Sequence, residues 1–131
     1  MKRISFFVMA GLTLLIFAAS CSKSNTSAST SLEGKWTGNY HGGPGPVNYY
    51  SLTFKSGGSL LVQSDNSTTP NSANGTWTLS GDSVRATYTF VTSSLTYSIA
   101  GKYSASSNTM DGTIGNGLNT SGVFVFNVVK E

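Results

Sequence analysis

The chain has 131 residues, a formal net charge of +3 and only 10% charged residues, against the roughly 25% usual in soluble domains. Ser, Thr, Asn and Gly supply 63 of the 131, which excludes a helical bundle built on Ala, Leu, Glu and Lys, and the length excludes two full domains. One His, one Cys and five carboxylates are too few for most catalytic or metal sites, so a non-enzymatic protein with no cofactor and no metal is expected.

Lys2 and Arg3 precede a mostly apolar run over residues 4–19, which ends in Ala18-Ala19-Ser20-Cys21. A basic start, an apolar stretch and small residues before a cleavage point are the layout of a secretory signal peptide. The run is shorter than the about 20 apolar residues that an uncleaved anchor needs to span a bilayer. A plain signal cut near Ser20 would leave an unpaired thiol at the new terminus. Residues 18–21 resemble the lipobox of bacterial lipoproteins, with Ala18 where that family more often has Leu. The resemblance implies that Cys21 receives a diacylglyceryl group and that residues 1–20 are cut away. It also implies that the new amino terminus is acylated. Two or more acyl chains, at about 0.8 kcal/mol per buried methylene, anchor a protein stably. By the same resemblance, Ser22 directs the protein to the outer membrane of a bacterial cell envelope. The lipid bilayer is then the first expected partner. Loss of Lys2 and Arg3 leaves six basic and five acidic residues. No basic patch remains for nucleic acid.

Residues 22–32 read SKSNTSASTSL, polar and without periodicity. Such a segment is a flexible tether with a reach of about 18 Å. The domain is expected over residues 33–131. Eight runs rich in β-branched or aromatic residues follow, at 35–40, 49–55, 59–63, 75–80, 83–91, 95–103, 109–114 and 122–130. In the fifth, Val84, Ala86, Tyr88 and Phe90 alternate with Arg85, Thr87 and Thr89. In the sixth, Leu95, Tyr97, Ile99, Gly101 and Tyr103 alternate with Thr96, Ser98, Ala100 and Lys102. Period two with hydroxyls outside marks half-buried antiparallel strands. The run Val123-Phe124-Val125-Phe126 is apolar on both faces and leaves its register open.

Long connections (41–48, 64–74, 115–121) alternate with short ones (56–58, 81–82, 104–108), and only 92–94 departs from the pattern. In an up-and-down meander this gathers the long loops at one end. The predicted fold is all-β, an eight-stranded antiparallel up-and-down barrel, with a two-sheet β-sandwich as the alternative. The tether then leaves from the short-turn end, and the long-loop mouth points away from the membrane.

Gly34-Lys35-Trp36 resembles the Gly-x-Trp that opens lipocalin and related calycin barrels. The resemblance implies that Trp36 plugs the closed end. Gly75-Thr76-Trp77 has the same spacing, and the family's Thr-Asp-Tyr, C-terminal helix and disulfide are missing. Gly-Thr-Trp-Thr-Leu-Ser-Gly (75–81) and Met-Asp-Gly-Thr-Ile-Gly (110–115) are similar to the small lipocalin-like domains of bacterial lipoproteins.

His41, the single His, lies in a Gly/Pro stretch with no second ligand nearby and reads as an exposed loop residue. That stretch lacks the Lys-Ser/Thr ending of a phosphate cradle. Asp65, Asp82 and Asp111 are scattered, without the paired carboxylates of a glycosidase. Asp82-Ser83-Val84 matches a bacterial O-glycosylation pattern and also reads as ordinary turn chemistry. The aromatics carry the functional expectation. Tyr40, His41, Tyr49, Tyr50, Trp77, Tyr88, Phe90 and Tyr97 are the candidate contacts for a ligand or partner. Tyr and Trp present apolar faces with a polar handle. An eight-stranded barrel either holds one small ligand or is filled by its own side chains. Two functions are therefore expected from the same end: binding of a small apolar or amphipathic molecule, or contact with an envelope protein through a plugged barrel.

Overall fold

The computed structural model describes residues 32–131. The expected signal peptide, Cys21 and nearly all of the tether lie outside the described residues. Eight strands run in order: β1 (Gly34–His41), β2 (Asn48–Phe54), β3 (Ser59–Gln63), β4 (Ser72–Ser80), β5 (Ser83–Phe90), β6 (Thr96–Ser104), β7 (Thr109–Asn116) and β8 (Phe124–Lys130). Each pairs antiparallel with the next, and β1 also pairs with β8, from Trp36 opposite Lys130 to His41 opposite Val125. The sheet therefore closes into an up-and-down barrel, as the meander predicts, and closure excludes the sandwich.

Inward positions follow the period-two pattern. Val84, Ala86 and Tyr88 of β5 are buried, as are Ile99 and Gly101 of β6. The open register of the last strand resolves the same way: Phe126 and Val128 are buried with Phe124 packed beside them, while Val125 and Val129 face out. Outward positions are mostly Thr, Ser, Lys and Asn, the reverse of the apolar exterior of a membrane-spanning barrel. Strand bounds depart from expectation by up to three residues, and two of the departures bear on the mouth. β4 begins at Ser72, because Ser72 and Ala73 pair with Gln63 and Val62 despite their turn-like neighbours. Leu95 falls outside β6 and stays 55% exposed in the β5–β6 loop.

The short-turn end is solid. Trp36 is fully buried, and its ring meets Phe54 and Tyr103 edge-on at 6.5 and 5.6 Å. Its indole N–H donates to the Leu32 carbonyl at 2.8 Å, and the Lys130 ammonium sits 5.9 Å from the ring centre. Leu32 is itself fully buried, so packing starts one residue before the expected boundary at Glu33. Glu131 closes the other terminus onto β1, pairing with Lys35 at 2.9 Å and accepting from the Thr37 hydroxyl.

A pair of glycines makes room at mid-height. Gly101 and Gly112 face each other across β6 and β7. A Cβ on Gly112 would lie 2.5 Å from the Phe126 ring and 2.4 Å from the Ala100 carbonyl oxygen. The Phe126 ring occupies the space those two side chains would have taken.

Candidate functional site

The long-loop end opens into a cavity of about 200 Å³. Its walls are aromatic because inward positions near the ends of five strands all carry rings: Tyr40 (β1), Tyr50 (β2), Tyr88 and Phe90 (β5), Tyr97 (β6) and Phe124 (β8). The rings form two groups on opposite walls. Tyr40 contacts Tyr50 at 5.6 Å and Phe124 at 5.0 Å, and Tyr50 contacts Phe126 at 5.5 Å. Across the lumen, Tyr88 contacts Phe90 at 5.8 Å and Tyr97 at 6.1 Å. Nearly all of these contacts are edge-to-face, the favoured arrangement for ring quadrupoles.

Tyr50 donates a hydrogen bond to the Tyr88 hydroxyl at 3.0 Å, and this bond joins the two walls. Burial pushes both phenols well above the usual tyrosine range, and burial also raises Tyr40, with the Tyr97 phenol adding to it. These groups stay protonated at physiological pH. They can donate and accept hydrogen bonds, and they cannot serve as bases.

Polar groups ring the opening. Ser64 and Asn71 come from the β3–β4 loop and Ser93 from the β5–β6 loop, which also brings the apolar Leu95 to the rim. The two loops are tied together. Asp65 accepts from the Ser67 hydroxyl and from the backbone N–H groups of Ser67 and Asn71, which hold its carboxyl below the usual range. The Asn71 side-chain oxygen then accepts from the Thr92 hydroxyl at 2.8 Å, and Val91 N–H donates to the Ser72 carbonyl at 3.0 Å.

Tyr40, Tyr50, Tyr88, Phe90 and Tyr97 all line the cavity, and three other candidates do not. Tyr49 lies at the outward position beside inward Tyr50. Trp77 belongs to the closed end, where its ring meets Phe54 at 5.5 Å and its N–H donates to the Lys55 carbonyl at 3.1 Å. His41 ends β1 on the outer wall, exposed in a shallow hollow with Thr113 and Val125, and is part of a strand rather than a loop. The cavity also takes in Ser64, Asn71, Ser93, Leu95, Ile114 and Phe124, which were not among the candidates. Ser83 begins β5, and its hydroxyl accepts from Lys102 at 3.1 Å. Among the described residues, no three His, Cys, Asp or Glu side chains converge.

Charge is divided along the barrel axis. Lys35, Lys55, Arg85, Lys102 and Lys130 all lie in the short-turn half, with Glu33, Asp82, Asp111 and Glu131. Among the described residues, Asp65 is the one formally charged side chain at the mouth.

Searches against protein-family models, curated proteins and solved structures give no significant match to this chain.

Proposed function

We propose that the protein is a lipid-anchored envelope lipoprotein with a lipocalin-like barrel that binds one small, uncharged, amphipathic molecule in the mouth. The observation that carries this reading is the aromatic cavity of about 200 Å³, walled by four tyrosines and two phenylalanines and rimmed by Ser64, Asn71 and Ser93. Aromatic walls with a few convergent polar groups are the composition of a small-molecule site. The cavity lies below the about 300–1,000 Å³ of drug-sized sites, so the occupant is a single small ring or the end of a longer molecule. The raised phenols are hydrogen-bonding groups rather than bases, and His41 lies outside the cavity. Anchoring rests on the lipobox-like residues 18–21.

A second reading has its own support. The barrel is packed solid below the mouth, and Val47 and Val91 stand 66% and 67% exposed on the loops around the opening. Those tips would serve a protein contact. Native mass spectrometry of the chain purified from its own cells separates the two. A co-purifying mass of a few hundred daltons is expected on the binding reading. Bare protein, with no mass gained on adding small amphiphiles, would overturn it in favour of the contact reading.

A further inference from the structure

A second concavity, of about 280 Å³, lies on the outer wall over β4, β5 and β6. The register sets its floor. Thr76 is opposite Thr87 and Thr87 opposite Ser98, and one step toward the closed end Thr78 is opposite Arg85. The β7–β8 loop forms the lip. It lies against β7 at Gly115, where a Cβ would come 2.3 Å from the Asn119 carbonyl oxygen, and it is pinned by hydrogen bonds from the Thr113 hydroxyl to Thr120 O and from Gly117 N–H to Thr96 O. Leu118 and Thr120 project from that loop over the groove, with Leu118 86% exposed.

The hydrogen-bond directions in the groove are determined. Ser98 Oγ donates to the Gly117 carbonyl at 2.7 Å, which uses its one hydrogen. In the 2.7 Å contact between Thr87 and Ser98, Thr87 is therefore the donor. Thr87 then has only lone pairs to offer, so a further partner at this hydroxyl has to be a donor. Arg85 is exposed in the same groove and makes no ion pair among the described residues. Asp82, in the β4–β5 turn, is held by Lys102 at 2.7 Å. A planar guanidinium fork matches a carboxylate or phosphate in two parallel hydrogen bonds.

We propose that this groove is a second binding site, distinct from the mouth, for an acidic saccharide. Arg85 takes the carboxylate. A ring hydroxyl donates to Thr87, Thr76 and Thr78 meet further hydroxyls, and Leu118 covers the apolar ring face. A bare anion would leave the hydroxyl row and Leu118 unused. An extended peptide finds no edge to pair with, because every strand in the closed barrel already has two neighbours. A nucleic acid would need more than one cation here.

The test is titration of the full chain in detergent with glucuronic acid, glucose and inorganic phosphate, followed by NMR. Glucuronic acid is expected to bind at least about tenfold more tightly than glucose, and Arg85→Gln to remove that preference. Thr87→Val is expected to weaken glucuronic acid several-fold while leaving the preference for the acid in place. A glucuronate trisaccharide that binds more tightly than the monomer assigns the site to a polymer, and equal affinity assigns it to a free sugar acid. Equal binding of glucose, unchanged binding by Arg85→Gln, or phosphate binding as tightly as glucuronic acid would each overturn the proposal.

Discussion

The hydroxyls of Tyr50 and Tyr88 meet at 3.0 Å across the lumen, joining β2 to β5, two strands that share no backbone pairing. The bond sets the floor of the mouth. Either Tyr→Phe change leaves the other buried phenol without its partner, which costs about 1–3 kcal/mol. The double change Tyr50→Phe with Tyr88→Phe is expected to cost less than the sum of the singles. Urea unfolding of the four proteins measures the coupling, and strict additivity would mean the two hydroxyls do not interact.

The same pair predicts a response to alkali. Burial raises both phenols above their ordinary value, so the folded state holds their protons longer than the unfolded chain does. For a raised group the stabilisation is complete below the unfolded value, about 10 for tyrosine, and is lost as pH climbs toward the folded value. Unfolding free energy is therefore expected to fall steadily above about pH 10. In the tyrosinate absorbance, part of the signal from the six tyrosines should appear only when the barrel opens. A smooth titration of all six before any loss of structure would contradict this.

Gly112 is expected to resist substitution. Gly112→Ala places a methyl 2.5 Å from the Phe126 ring, with the Ala100 carbonyl on the other side. Overpacking of this kind costs about 1–3 kcal/mol. Phe126→Leu in the Gly112→Ala background should return part of that loss, which thermal melts would show. A Gly112→Ala protein as stable as the parent would show that the ring is not held there.

At the closed end, Trp36→Ala removes a fully buried ring and is expected to cost about 3–5 kcal/mol in urea unfolding. Trp36→Phe should cost less, because the ring contacts with Phe54 and Tyr103 survive in part while the N–H bond to Leu32 is lost. A near-neutral Trp36→Ala would remove it from the core.

Anchoring is tested by Cys21→Ala. Cell fractionation is expected to move the protein from the membrane to the soluble envelope fraction. Retention in the membrane pellet would refute lipid attachment at this residue.

Much of the fold could be read from alternation, because hydroxyl residues mark the outer wall wherever a strand is half-buried. That pattern alone puts Tyr88, Phe90 and Tyr97 on the inner face. Tyr49 and Tyr50 are neighbours, so only one can face inward; Leu52 and Phe54, two and four residues on from Tyr50, carry the parity that selects it. Phe124 was hidden because residues 123–126 are apolar on both faces. Trp77 was misplaced for a different reason. Its face follows from alternation, but its height depends on the stagger between strands, which is a property of the closed barrel and not of one segment. The Asp65–Asn71–Thr92 clasp was illegible, since loop residues of that composition specify a turn but not which loop they reach.

The separation of charge along the axis has a kinetic consequence. Charged clefts speed the arrival of oppositely charged partners, and the gain shrinks with salt. This mouth has Asp65 alone, and the cations that could draw in an anion stand at the far pole. Uncharged molecules therefore reach the aromatic cavity by unassisted diffusion, at a rate that is the same in dilute and concentrated salt. A neutral molecule loses nothing by this, while an anion gains no help in finding the opening.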